Sequence, residues 1–195
     1  GYFDFLFCSA QSNELVVVNY HGITQKSFRN FKKQVEFFKH NYNVIGPNQM
    51  KFYFEGNILS NKPSLLITFD DGIANQYEAA CYLQEQHIQA YFFIVPKFVL
   101  TSAEDQPSFF RRNIRPISYN SFVNDSRDSL SLTQDELLHM KTMGHSFGVH
   151  SATHTMTANS SNAHFEIVES KNQLAKILEI DEKELDSFCS IVAVS

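Results

Sequence analysis

Apolar residues along the chain follow two alternating rhythms. Short continuous apolar or β-branched runs occur at "LVVVNYHG" (Leu15 to Gly22), "SLLITFD" (Ser64 to Asp70), "QAYFFIV" (Gln89 to Val95), "HSFGVHS" (His145 to Ser151) and "FCSIVAV" (Phe188 to Val194). Runs of that length bounded by Gly, Pro and polar residues read as buried strands. "YNVI" (Tyr42 to Ile45) is a further short strand, closed by a turn at Gly46-Pro47. Between the strands the spacing becomes helical. Phe28, Phe31, Val35 and Phe38 share one face of Lys26 to His40, and Ala74 to Gln86 is a second helix. Thr133 and Glu136 form a capping box that starts a helix running to about Met143 and stopping at Gly144. Ile167, Val168, Lys171, Leu174 and Leu178 mark another amphipathic helix. Alternation of fully apolar strands with helices predicts an α/β fold: a parallel sheet covered by helices, doubly wound or closed into a barrel. In either case functional groups gather at the C-terminal strand ends, where His21, Asp70, Asp71 and His150 lie.

One segment breaks the rhythm. Residues 97–131 are polar, contain Pro107 and Pro116, and show little periodicity, so they read as an irregular loop inserted in a single domain spanning 1–195. The 195 residues suffice for one substantial core, and 19 Phe and 8 Tyr without Trp make that core Phe-rich. A formal charge of −5 with no basic run argues against nucleic acid as a partner. No run reaches the roughly 18–20 apolar residues of a membrane span. Cys8, Cys81 and Cys189 include no CxxC pair, which argues against a cysteine metal site, and the odd count fits a reducing compartment. The opening "GYFDFLFCSAQSN" has no basic leader and does not read as a signal peptide, so the expectation is the cytoplasm rather than the cell envelope.

Two constellations carry chemistry. The stretch "ITFDDGIANQ" ends an apolar strand in adjacent carboxylates, which cost free energy to desolvate and repel each other. Asp71 could cap the helix that follows, with Asp70 solvated. Alternatively, a cation could neutralise the pair. In "GVHSATHTM", His150 and His154 are four residues apart, a spacing that puts two imidazoles on one side of a helical turn or tight loop. This is not the HExxH zinc-protease pattern, because Ser151 stands where the glutamate would be. One carboxylate and two imidazoles would leave coordination positions open, as in catalytic zinc sites, and the second carboxylate could take a proton from water. His21 ends the first strand and is a substrate-pocket candidate, or else is hydrogen-bonded under the sheet edge. His145 is expected to support the fold. Arg111, Arg112 and Arg115 could meet an anionic group or be a solvated loop.

In "TFDDG" (Thr68 to Gly72) and "HSATH" (His150 to His154) the chain resembles the polysaccharide deacetylase family, the NodB-homology domain found in carbohydrate esterase family 4. The contexts "NYHGI", "FKKQVEFFKHNYNVI" and "LTQDELLHMKTMGHSFGVHSATH" extend the resemblance over about residues 15–195. It implies a distorted (β/α) barrel, here incomplete at the C-terminus. It implies Asp71, His150 and His154 as metal ligands and Asp70 as general base, with a divalent metal, Zn2+, as cofactor. The implied activity is removal of an N-acetyl group from an N-acetylhexosamine in a polysaccharide or surface glycan, with metal-bound water as nucleophile. Such a carbohydrate would be the partner.

The chain also departs from the family. The place of the third motif is taken by "FCSIVAVS", without Pro or Gly, there is no Trp, and His164 is the one histidine after the metal pair. The groups that stabilise the oxyanion and protonate the leaving amine are thus unassigned. Two alternatives stay open: a catalytically degenerate glycan-binding member, and a deacylase acting on O-acetyl, N-formyl or cyclic amide substrates. Open edge strands would need cover from the 97–131 segment, further chain or a homo-oligomer.

Overall fold

A computed structural model of the chain describes residues 14–57, 60–114, 128–155 and 162–185. In order, it places β1 at Leu15–Tyr20, α1 at Gln25–Asn41, β2 at Asn43–Val44, α2 at Pro47–Phe54, β3 at Ser64–Asp71 and α3 at Gln76–Glu85. Then follow β4 at Tyr91–Ile94, α4 at Pro96–Val99, α5 at Gln106–Phe109 continuing into a π-helical turn at Phe110–Ile114, and α6 at Gln134–Thr142. Last come β5 at Ser146–Val149, a π-helical turn at Phe165–Glu169 running into α7 at Ser170–Leu178, and a 3-10 turn at Glu182–Glu184. The strands form one parallel sheet in the order β1-β3-β4-β5, with β2 also paired to β3. The predicted last strand, Phe188 to Val194, lies outside the described residues.

Register explains which side chains meet the helices. Val16, Val18 and Tyr20 of β1 lie beside Leu65, Ile67 and Phe69 of β3, and Phe69 in turn lies beside Phe92 of β4 and Phe92 beside Phe147 of β5. These positions build the main core with Phe31, Val35 and Phe38 of α1 and Leu174, Ile177 and Leu178 of α7. The Phe69 and Phe92 rings stack with centroids 4.7 Å apart, and Phe31 meets Phe69 edge-on. The opposite face carries Val17, Asn19, Leu66, Thr68 and Asp70 and leads to the strand ends.

Several sequence expectations shift. The Gly46-Pro47 turn follows β2 as expected, and Pro47 in addition starts α2 as a first-turn proline, where its missing N–H costs nothing. Helix α3 begins at Gln76 rather than Ala74, because residues 73–75 form a turn. Within the 97–131 segment, the described residues 97–114 are more ordered than their polarity suggests: Phe98, Phe110 and Ile114 join Ile73 and Val95 in a second apolar cluster. Between Ile167 and Leu178 the apolar face changes phase. The π-helical turn adds a residue, so Ile167 and Val168 are exposed while Leu174, Ala175, Ile177 and Leu178 are buried. The capping box of α6 forms as its sequence demands: the Glu136 N–H donates to Thr133 Oγ1 and the Thr133 N–H to Glu136 Oε2.

His145 has the supporting place expected for it. It is buried, accepts from the Ala90 N–H through Nδ1 at 3.2 Å, and lies with Nε2 3.2 Å from the Ala80 carbonyl. These partners require the neutral ring with its proton on Nε2. Burial pushes its pKa down to about 4. The unfolded ring titrates near 6.5, so the neutral form's contribution is full above that value and is lost as pH falls toward 4. The expected contribution is about 3 kcal/mol. Urea unfolding of the chain and of His145→Gln between pH 7 and pH 4 should show that much less acid sensitivity in the variant.

Candidate metal centre

Four side chains far apart in sequence converge at the C-terminal ends of β3 and β5. His154 Nε2 lies 3.1 Å from Asp71 Oδ1, and His150 Nε2 lies 3.7 Å from the same oxygen. The imidazole centroids are 5.2 Å apart. Ligand atoms of Asp71, His150 and His154 all fall within 4.8 Å of one another, the one such grouping among the described residues. Asp70 adjoins them, its Oδ2 3.9 Å from His150 Nε2.

Backbone conformation brings the adjacent aspartates together. Strict alternation would send Asp70 to the open face of the sheet and Asp71 to the helix-covered face. The strand instead ends with Asp71 at φ 80° and Gly72 at φ 75°, which breaks the alternation. A Cβ at Gly72 would also stand 3.3 Å from the Ile94 side chain, so glycine serves both the conformation and the packing. On the other side of the centre Ser151 and His154 have φ 59° and 62°. Left-handed backbone costs a non-glycine residue about 1–2 kcal/mol. Three such residues around one point need a surrounding structure that holds them.

That structure is supplied largely by segments the sequence pattern left irregular. His154 Nδ1 faces the Asn113 carbonyl at 2.5 Å, and the Asn113 amide donates to the Thr153 carbonyl at 3.0 Å. With Nδ1 engaged by that carbonyl, His154 presents Nε2 to Asp71. Buried Glu166 accepts from the Thr153 N–H and hydroxyl at 2.9 and 2.7 Å, clamping the loop between the two histidines and α7. Gln106, also buried, accepts from the Leu130 N–H at 2.7 Å and the Ser129 hydroxyl at 3.0 Å, and donates to Ser131 Oγ at 2.8 Å. Residues 130–132 then pair with the turn after Asp71: the Ala74 N–H donates to the Leu130 carbonyl and the Leu132 N–H to that of Gly72. Gln76 closes the other flank, its fully buried amide donating to the carbonyls of His21 and Asp70. Asn19, Gln76, Gln106, Asn113 and Glu166 carried no sequence signal, since single amides and carboxylates in loops and strand ends have no diagnostic spacing.

The two carboxyls are driven apart in acidity. Burial raises Asp70 above the usual carboxylate range and the Asp71 charge adds to this, against a hydrogen bond from Asn19 and the charges of His21 and His154. Burial opposes the charge on Asp71 as well, but His154, His150 and His21 outweigh it and hold that carboxyl below the usual range. Asp71 does not cap α3, since neither of its oxygens, both buried, accepts a hydrogen bond among the described residues. A fully buried carboxylate without such partners, facing two imidazole nitrogens, fits a divalent cation in both charge and donor type. His21 lies at the edge of the centre, close enough for its charge to act on both aspartates. Arg111 and Arg112 are exposed, Arg112 donating to Ser108, and Arg115 lies outside the described residues. His164 is exposed on the π-helical turn side of α7.

The family described as Polysaccharide deacetylase matches residues 59–186. Among solved structures, the chain is similar to IcaB from Ammonifex degensii at 19 % identity and a TM-score of 0.61, covering 88 % of this chain and 72 % of that one. It is similar to the Streptococcus pyogenes deacetylase PplD, solved with acetate, at 18 % identity and 0.58, covering 86 % and 69 %. BC0361, a polysaccharide deacetylase from Bacillus cereus, matches at 24 % and 0.53, covering 85 % of this chain but only 46 % of its own length. At these identities the similarity shows a shared fold, the NodB-type distorted barrel. No curated protein matches the chain.

If Gln106 braces the turn after Asp71, Gln106→Ala should leave the Leu130 N–H and its neighbours unpaired. It should then lower the unfolding free energy by about 2–4 kcal/mol, read as a shift of the urea midpoint at constant slope.

Proposed function

The chain belongs to the polysaccharide deacetylase family, and from that premise we propose that it is a metal-dependent carbohydrate deacetylase. It would hydrolyse the N-acetyl group of an N-acetylhexosamine within a glycan. The observation that carries the reading is the buried Asp71 carboxylate, without a hydrogen-bond donor among the described residues and 3.1 and 3.7 Å from the Nε2 atoms of His154 and His150. Asp71, His150 and His154 would hold the ion, with Zn2+ expected from the mixed imidazole and carboxylate set. When bound, the ion would supply Lewis acidity, making water acidic near neutral pH and polarising the acetamide carbonyl.

The chain's own residues divide the remaining work. Asp70 sits beside the centre with its acidity shifted opposite to that of Asp71, the pattern that separates a proton acceptor from a permanently ionised ligand. It would take the proton of the attacking water. His21, whose charge acts on both aspartates, would border the same space and meet the sugar. The Asn113 carbonyl and the Glu166 carboxylate would keep His154 and its loop in place as substrate enters.

Elemental analysis should find one Zn2+ per chain, and acetate should be released from N-acetylated chitooligosaccharides and abolished by a chelator. Asp71→Ala, His150→Ala and His154→Ala should each weaken Zn2+ binding by more than the roughly 10–100-fold typical of outer-shell changes. Asp70→Asn should keep the ion and lose about 10²–10⁴-fold in kcat; a wild-type rate in that variant removes Asp70 as the base. Zinc held without acetate release would make the chain a glycan-binding member. Faster turnover of aryl acetates than of chitooligosaccharides would make it an esterase.

A further inference from the structure

We propose that Asn19 is a positioning residue for the reaction: it fixes the carboxylate of Asp70 in the plane from which it can accept a proton. The inference rests on Asp70 being the base. Strand register puts Asn19 directly beside Thr68, two residues before Asp70 on the same face of the sheet. The Asn19 amide donates through Nδ2 to Asp70 Oδ2 at 2.7 Å, and the Thr68 hydroxyl donates to Asn19 Oδ1 at 3.0 Å. The three side chains thus form a directed chain, hydroxyl to amide to carboxylate.

Direction matters because an asparagine amide can be turned over. Turned over, Asn19 would set its oxygen against a carboxylate that only accepts, and its NH2 group against the Thr68 oxygen. The accept-only carboxylate excludes that orientation, and the Thr68 hydroxyl, which also lies 3.4 Å from the Val18 carbonyl, completes the chain by donating to Oδ1. Without a donor the Asp70 carboxylate would be free to rotate about its last torsion, which is broad and roughly two-fold. With Oδ2 held at 2.7 Å by Asn19 and 3.9 Å from His150 Nε2, the group faces the centre in one setting.

Core packing gives no reason for the residue. Asparagine is disfavoured in strands, and Asn19 follows four apolar residues, Leu15 to Val18, of a strand that would accept another. It is also exposed, so it fills no space in the core.

The test uses the full chain loaded with Zn2+ and a chitooligosaccharide substrate. Asn19→Leu and Asn19→Asp should each lower kcat about 10- to 100-fold, the loss expected from a misplaced catalytic group, with KM and Zn2+ affinity unchanged. Thr68→Val should lower kcat in the wild type but add nothing in the Asn19→Leu background, since both act through one contact. Independently of turnover, the Asn19 side-chain amide signal in a ¹H–¹⁵N spectrum should shift in Asp70→Ala. An unchanged kcat in Asn19→Leu, a parallel loss of Zn2+ affinity, or an amide signal indifferent to Asp70 overturns the inference alone. A wild-type chain that binds Zn2+ yet releases no acetate defeats the deacetylase reading, and this inference with it.

Discussion

Asp71 is 0 % exposed, ends a strand buried along its whole length, and has a second carboxylate as its immediate neighbour. Its charge cannot be borne there by solvent, and among the described residues no donor is hydrogen-bonded to its oxygens. An isolated ionised carboxylate in such a place would cost several kcal/mol even after relaxation. Much of the surrounding structure can be understood as the arrangement that makes this charge tolerable. Two imidazoles face it, a left-handed residue turns it away from the helix-covered core, and the next glycine lets the chain leave without collision.

The strain this requires is distributed and held. Asp71, Ser151 and His154 all adopt left-handed backbone, and each sits in a segment tied down by buried polar groups of another element. The turn after Asp71 is paired with residues 130–132, which Gln106 holds. The His154 loop is tied to Asn113 and Glu166. Gln106 and Asn113 belong to one continuous piece of α5 and its π-helical extension, so a single insertion braces both sides of the centre. Its apolar underside, Phe98, Phe110 and Ile114, packs on Ile73, the residue directly after Gly72. Packing and hydrogen bonding therefore converge on the same turn.

How much of this was legible in the sequence depended on whether the signal was periodic or local. Apart from the expected strand at Phe188 to Val194, which lies outside the described residues, the strands and α1, α3 and α6 follow from apolar runs, helical spacing and a capping box, and the structure places them within a few residues. "TFDDG" and "HSATH" were legible as chemistry because two charged or titratable residues at short spacing are costly without a purpose. What could not be read was anything set by contact between distant segments. The described part of the 97–131 stretch looks irregular in sequence because its order comes from one buried glutamine and a few aromatic side chains rather than a repeating face. The phase change between Ile167 and Leu174 is invisible to a 3.6-residue pattern, because one inserted residue in a π-helical turn leaves both halves looking helical.

The open face of the sheet shows why a parallel arrangement serves such a centre. On β1 the residues of that face run Leu15, Val17, Asn19, and on β3 they run Leu66, Thr68, Asp70. Past Ser64, which lies beside Leu15 at the start of the ladder, both series change from apolar to polar toward the C-terminal end. Because the strands are parallel and in register, the two gradients point the same way, and their polar ends meet side by side. In an antiparallel pair the polar end of one strand would lie against the apolar end of the other, and a carboxylate at one end would find no polar neighbour across the ladder. The Asn19–Asp70 contact at 2.7 Å is the direct product of that shared direction. Parallel pairing thus does more than expose loops at one end. It lets hydrogen-bonding chains such as Thr68–Asn19–Asp70 form across strands, on a backbone too rigid to let them drift.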